Sequence, residues 1–359
     1  MSPEPSGFPQ RTDYATLNGL RGIAAIVVLL HHLGMEAGAD LLPRGYLAVD
    51  LFFAISGFVI AHAYAARLKA GMGVTRFTVT RLIRLYPLFL LGQIFGLWVM
   101  VLYGYEFMTL LKAFVIGSAV IPWPIRMGDV QIFFPLNDPS WSLFFELAIN
   151  IVFATTISML SVRVLLALLA VSALALSAAA LHFGDLNIGW AVENMIGGVP
   201  RAGFSFIMGI LLFQFAPRVK SGNAVPVLLL AGLAFLLVMG PKAWWFDLLV
   251  VMLLFPAMLF MAVSWQPTGL VERVSHELGR ISYPLYIIHA PALYWGSLLI
   301  DEDIHGPGLQ AAAWLLVVAA TLGMSAVLPS LYDQPVRRVL ERTIRPSAGS
   351  RETEHHAGP

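Results

Sequence analysis

Leu17-Asn-Gly-Leu-Arg-Gly-Ile-Ala-Ala-Ile-Val-Val-Leu-Leu-His-His32 forms, with the two residues after it, an apolar run from 17 to 34. A hydrocarbon core about 30 Å thick takes about 20 helical residues, so this run has the reach of a membrane span. The rest of the 359-residue chain repeats the pattern. It is 58% hydrophobic and only 12% charged, and its net charge is +1. Those values exclude a disordered chain and a nucleic-acid binder working by bulk charge, and they argue against a water-soluble enzyme. The absence of cysteine excludes disulfides, a thiolate nucleophile and Cys-ligated metal. Met1 to Ala15 is polar and Pro-rich, and no cleavable signal peptide is expected there.

Ten stretches read as spans: 17–34, 47–66, 82–104, 141–160, 163–182, 200–216, 225–240, 244–264, 281–300 and 309–332. The stretch 108–122 is ambiguous. With ten spans and a cytoplasmic N-terminus, 17 of the 22 Lys and Arg residues fall inside. An eleventh span at 108–122 would leave only 10 inside, so the positive-inside rule favours ten. The expected fold is therefore all-α, a polytopic transmembrane helical bundle of about ten spans with both termini cytoplasmic. Residues 1–16 form a cytoplasmic tail and 17–340 one membrane domain. Residues 105–140 form an outer loop, and 341–359 a polar tail expected to be disordered.

Ionisable groups inside spans are costly and are candidates for function. Arg21 and His32 are eleven residues apart, so they share a helix face at depths about 16 Å apart, while His31 points about 100° away. Asp50, near the depth of His32, could orient its imidazole, or could be a carboxylate favoured at a helix start. Arg81 and Arg84 share a face and suit a phosphate-bearing ligand, or anchor the helix at the inner boundary. Ser142 and Glu146 are i,i+4, with Glu146 one turn into an apolar helix. Ser282, Tyr286 and His289 share a face of a helix that Pro284 and Pro291 should break or kink. His289 reads either as part of a cavity wall or as a structural hydrogen bonder. Tyr332 and Asp333 could pair with Arg81 or Arg84, and for Asp333 a closing structural clamp is the preferred reading. By depth, Arg21, Arg81 and Arg84 group inward, and His32, Asp50 and Glu146 outward. This layout suits an enzyme that takes a cytoplasmic donor and modifies an outer acceptor.

The order of these motifs resembles the integral-membrane acyltransferase-3 family from about Tyr14 to Leu340. The matching residues are Leu17-Asn-Gly-Leu-Arg-Gly with His32, Val49-Asp-Leu-Phe-Phe-Ala-Ile-Ser-Gly-Phe, Arg81-x-x-Arg-x-Tyr-Pro, Trp141-Ser-Leu-x-x-Glu, Leu278-Gly-Arg-Ile-Ser-Tyr-x-Leu-Tyr and Tyr332-Asp-x-Pro-x-Arg. Phe144 stands where the family often has Ser, which excludes a serine acyl-enzyme at that site. Asn18 and Asp333 are milder departures. The resemblance implies an O-acyltransferase, with acetyl as the default group, moving acyl from cytoplasmic acyl-CoA to a hydroxyl of an extracytoplasmic glycan. A small molecule such as a macrolide is the alternative acceptor, and a proton-coupled transporter the rival class.

The resemblance implies that Arg21 and His32 are essential and that Glu146 is an active-site position. Asp50 or Glu146 is expected to orient His32, a general base whose ordinary pKa of about 6.5 keeps it largely neutral. A two-step route through an acylated His32 or Ser142 is the alternative to direct attack. Arg81, Arg84, Tyr86, Tyr286 and His289 are expected at the acyl-CoA site, and Trp141 and Ser142 at the acceptor site. No metal and no nucleic acid are expected, and the expected location is the cytoplasmic (inner) membrane.

Overall fold

The computed structural model describes residues 14–39, 41–300 and 306–344. Helix α1 spans Ala15–Glu36 and α2 spans Ala48–Lys69, with a short 3-10 turn at Gly45–Leu47 before α2. Then come α3 (Val74–Leu102) and α4 (Phe107–Ser118). A small antiparallel hairpin follows, β1 (Ile125–Met127) against β2 (Val130–Ile132), with Ile125 opposite Ile132. Next are α5 (Ser140–Thr156), α6 (Val162–Phe183) and α7 (Gly198–Gln214). The strand β3 (Lys220–Ser221), α8 (Ala224–Met239), α9 (Trp244–Leu249), α10 (Phe255–Ser264) and the strand β4 (Trp265–Gln266) continue the chain, and β3 and β4 pair in parallel. The last helices are α11 (Gly269–Leu299), α12 (Pro307–Leu328) and α13 (Gln334–Ile344).

Each of the ten predicted spans falls on helix. Among the described residues, seven segments are long and apolar enough to cross a bilayer, and α5 and α8 are shorter apolar helices. The tenth, α11, opens with charged turns before its apolar body. The ambiguous stretch is α4, whose 12 residues rise only about 18 Å and fall short of a bilayer core. At the C-terminus α13 runs to Ile344, past the boundary expected at 340, and residues 345–359 lie outside the described residues.

Proline placement explains three local features. Two π-helical turns, Val250–Leu254 and Pro329–Asp333, each end two residues before a proline, Pro256 and Pro335. A proline lacks the N–H that would close the normal ladder, and the wider turn absorbs the gap. In α11, by contrast, Pro284 and Pro291 do not break the helix, which is continuous over 31 residues. The carbonyl that Pro291 leaves without its helical donor is that of Ile287, and Asn137 Nδ2 donates to it at 2.8 Å. A neighbouring side chain thus replaces the missing helical bond.

The bundle centres on α1 packed along α11 and on α2 packed along α7. Both crossings rest on small residues that let backbones meet, as in membrane helix pairs. A Cβ on Gly22 would strike Leu278 of α11, and one on Gly57 would strike the carbonyl of Phe206 on α7. Helices α6 and α12 lie outside this centre, and few of their residues are buried. Gly57→Leu is therefore expected to lose about 1–3 kcal/mol through overpacking against backbone that cannot yield. Gly232→Leu on α8, where a side chain meets open space, should leave the melting temperature of detergent-solubilised protein unchanged.

Candidate active site

Between α1, α2, α3, α5, α11 and the start of α13 lies a cavity of about 300 Å³. Arg21 enters it from α1, Arg81 and Arg84 from α3, Glu146 and Ser142 from α5, and Tyr286 from α11. Glu146 is held from two sides: Arg81 Nη2 donates to its Oε1 at 2.9 Å, and Ser56 Oγ donates to the same oxygen at 2.8 Å. Arg81 is buried, while Arg84 is exposed. Cations thus outnumber anions on this wall, and the cavity can accept a polyanionic ligand.

The pairing corrects the expected sorting by depth. Glu146 belongs with the arginines, not with His32, because α5 enters the bundle from the opposite end to α3 and the two side chains meet inside. Asp333 also departs from expectation. It pairs with Arg337, one turn along, at 2.5 Å, and not with Arg81 or Arg84.

Asp50 does not reach His32 either. Arg201 Nη2 donates to Asp50 Oδ2 at 2.6 Å, and both side chains are fully buried. The same guanidinium donates to the carbonyls of Ile188 (2.7 Å) and Tyr46 (2.9 Å), and it lies 5.2 Å from the Trp141 ring. Asp50 and Trp141 therefore belong to a structural clamp joining the start of α2 to the start of α7. A second clamp stands nearby, where Arg44 and Tyr46 bond each other and both engage Asp247.

Ser142 and Tyr286 meet at the cavity wall, with their hydroxyl oxygens 2.6 Å apart. Both hydroxyls also reach the Pro139 carbonyl, Ser142 at 3.0 Å and Tyr286 at 3.3 Å. Tyr86 does not reach the cavity. Its ring packs 6.0 Å from Phe89, among Leu85, Leu143 and Leu147.

His32 and His289 form a separate pair, with ring centroids 4.9 Å apart, behind Tyr286 and outside the cavity lining. Tyr286 lines the cavity on one side and lies 5.8 Å from the His289 ring on the other, while Phe52 stands edge-on to it at 5.4 Å. One aromatic layer therefore separates the arginine cavity from the histidines. Arg21 and His32 do share the face of α1 that looks onto α11, as their spacing predicts. His31 turns to the other side, where its Nδ1 bonds the Leu42 carbonyl at 2.9 Å. Sequence reasoning missed Ser56 and Arg201 as partners. Ser56 lies six residues after Asp50, about 120° round the helix, so the two necessarily face different neighbours.

These features define a polytopic helical membrane protein with a cationic internal cavity beside a histidine pair. The chain belongs to the acyltransferase-3 family, described as an acyltransferase domain, whose family model matches residues 14–329. It is 36% identical to "Protein 2 in picA locus" of Rhizobium radiobacter over 190 residues, covering 49% of this chain and 97% of that protein. It is 27% identical to "Putative membrane-bound transacylase BcsY" of Komagataeibacter xylinus, over 85% of this chain and 80% of the relative. It is 24% identical to "Acyltransferase MdmB" of Streptomyces mycarofaciens, over 93% and 94% of the two chains. No solved structure matches the chain. The protein is a multi-pass membrane acyltransferase.

Proposed function

We propose that the protein moves an acyl group, by default acetyl, from cytoplasmic acyl-CoA to a hydroxyl of an extracytoplasmic glycan. In this reading it sits in the inner membrane with both termini cytoplasmic. The observation that carries the reading is the cavity where Arg21, Arg81 and Arg84 meet around a single glutamate, one aromatic layer from His32. The phosphates of the donor sit among the arginines at the cytoplasmic mouth. Its thin pantetheine arm extends along the cavity toward Ser142 and Tyr286. The thioester arrives at the aromatic layer from within, and the acceptor arrives from the outer side, where His32 is partly exposed.

The chemistry needs one proton carrier. His32 takes the hydroxyl proton as the oxygen attacks the thioester carbonyl, the C–S bond breaks, and the thiolate recovers a proton from His32. Ester and free thiol are the products, and the histidine ends as it began. Contact between the two compartments requires Tyr286 or Phe52 to turn aside.

The test is transfer of label from [14C]acetyl-CoA to a panel of glycans and small hydroxylated acceptors, with CoA binding measured in parallel. Arg81→Ala and Glu146→Gln move the charge of the cavity in opposite directions. Arg81→Ala is expected to weaken CoA binding roughly tenfold, and Glu146→Gln to strengthen it by a similar factor, each corresponding to about 1.4 kcal/mol. Loss of binding in both variants would mean the pair is only structural, and would overturn the assignment of this cavity to the donor. Neither CoA binding nor labelled product in the wild type would overturn the whole reading.

A further inference from the structure

We infer that His289 is a positioning residue for His32: it fixes which nitrogen of His32 carries the proton, and it holds the charge that His32 acquires during transfer. The inference rests on the reading of His32 as the base and deepens it. His289 is hydrogen-bonded to its own helix on one side. Its Nδ1 lies 3.1 Å from the Leu285 carbonyl and 2.9 Å from the Tyr286 carbonyl. A carbonyl oxygen only accepts, so Nδ1 of His289 carries the hydrogen, and in the neutral ring Nε2 holds a lone pair. That Nε2 faces Nδ1 of His32 at 3.4 Å.

His32 Nδ1 also lies 2.9 Å from the Val28 carbonyl. Both neighbours of this nitrogen are acceptors, so it is protonated and shared between them. The lone pair of His32 is thereby placed on Nε2, the nitrogen free to take a proton from an acceptor. When Nε2 is protonated the ring becomes an imidazolium, and its Nδ1–H points at the His289 lone pair. The proton from the acceptor stays on His32 Nε2 until the thiolate collects it, and nothing is transferred to His289. This is the part an orienting carboxylate plays beside a catalytic imidazole, performed here by a neutral ring. It also fits the burial, because His289 is fully buried and a carboxylate there would need a countercharge.

The first measurement needs no substrate. In protein labelled with 15N-histidine, the spectrum of His32, assigned by its loss in His32→Ala, should be that of the Nδ1-protonated tautomer. A spectrum of the Nε2-protonated tautomer would overturn the inference outright. The second measurement is kinetic. His289→Phe fills the space without an acceptor and should lower kcat roughly 10–100-fold while leaving the KM for donor unchanged. His289→Gln, which returns an acceptor oxygen, should recover part of the loss. Wild-type kcat in His289→Phe, beside an inactive His32→Ala, would overturn the role of His289 and leave the base reading standing. Activity in His32→Ala itself would remove the base reading on which this one depends.

Discussion

Arg201→Met is expected to destabilise the protein by roughly 3–5 kcal/mol, the largest loss of stability foreseen for a single side chain here. Asp50 is fully buried, and Arg201 is the cation that compensates it. Removing the guanidinium leaves a carboxylate in an apolar setting and orphans the carbonyls of Ile188 and Tyr46 as well. Arg201→Lys should not restore the clamp, because one ammonium cannot fork to a carboxylate and two diverging carbonyls at once. The double variant Asp50→Leu/Arg201→Met should recover a sizeable part of the loss, since it removes both charges together. Thermal unfolding in detergent reads all three. A wild-type melting temperature for Arg201→Met would show that the clamp contributes nothing. A double variant no better than the single would place the loss in the orphaned carbonyls. The same comparison decides whether Asp50 matters for catalysis: activity lost in Asp50 variants should follow the amount of folded protein, not a change in kcat.

The sequence revealed the fold far better than it revealed the partners within the site, and the reason lies in what periodicity encodes. Spans are legible because apolar length is a property of each segment alone, and the placement of Lys and Arg settled even α4. That Arg21 and His32 share a face was legible for the same reason, since one helix sets that relation. Partners across helices depend on how far one helix slides and turns against another. Asp50 finds Arg201 at a separation of 151 residues, and His32 finds His289 at 257. Nothing in either local pattern sets those registers. Instead, the small residues Gly22 and Gly57 bring the paired helices close, and the prolines shift the helical ladder. The continuity of α11 illustrates the point. Pro291 read as a break because the compensating donor, Asn137, belongs to a segment 150 residues earlier.

His32→Ala is expected to lower the transfer rate about 10²–10⁴-fold, the usual worth of a positioned proton carrier. The fold should be spared, because His32 is partly exposed and its described hydrogen bonds run to a carbonyl of its own helix and to His289. A second control lies one residue away. His31 is bound to the Leu42 carbonyl on a different face, so His31→Ala should lower activity far less than His32→Ala. CoA binding should be unchanged in both, since neither histidine lines the arginine cavity. The contrast separates proton transfer from donor binding: arginine variants act on affinity, and His32→Ala acts on turnover at saturating donor. If His32→Ala transferred label at the wild-type rate while binding CoA normally, the base would have to be sought on the cavity wall. Ser142 is a poor base there, because its hydroxyl is tied to the Pro139 carbonyl and to Tyr286. Glu146 would then be the group within reach, at the cost of breaking its bonds to Arg81 and Ser56. In the proposed reading, proton transfer belongs on the α1–α11 side of the aromatic layer and donor binding on the other.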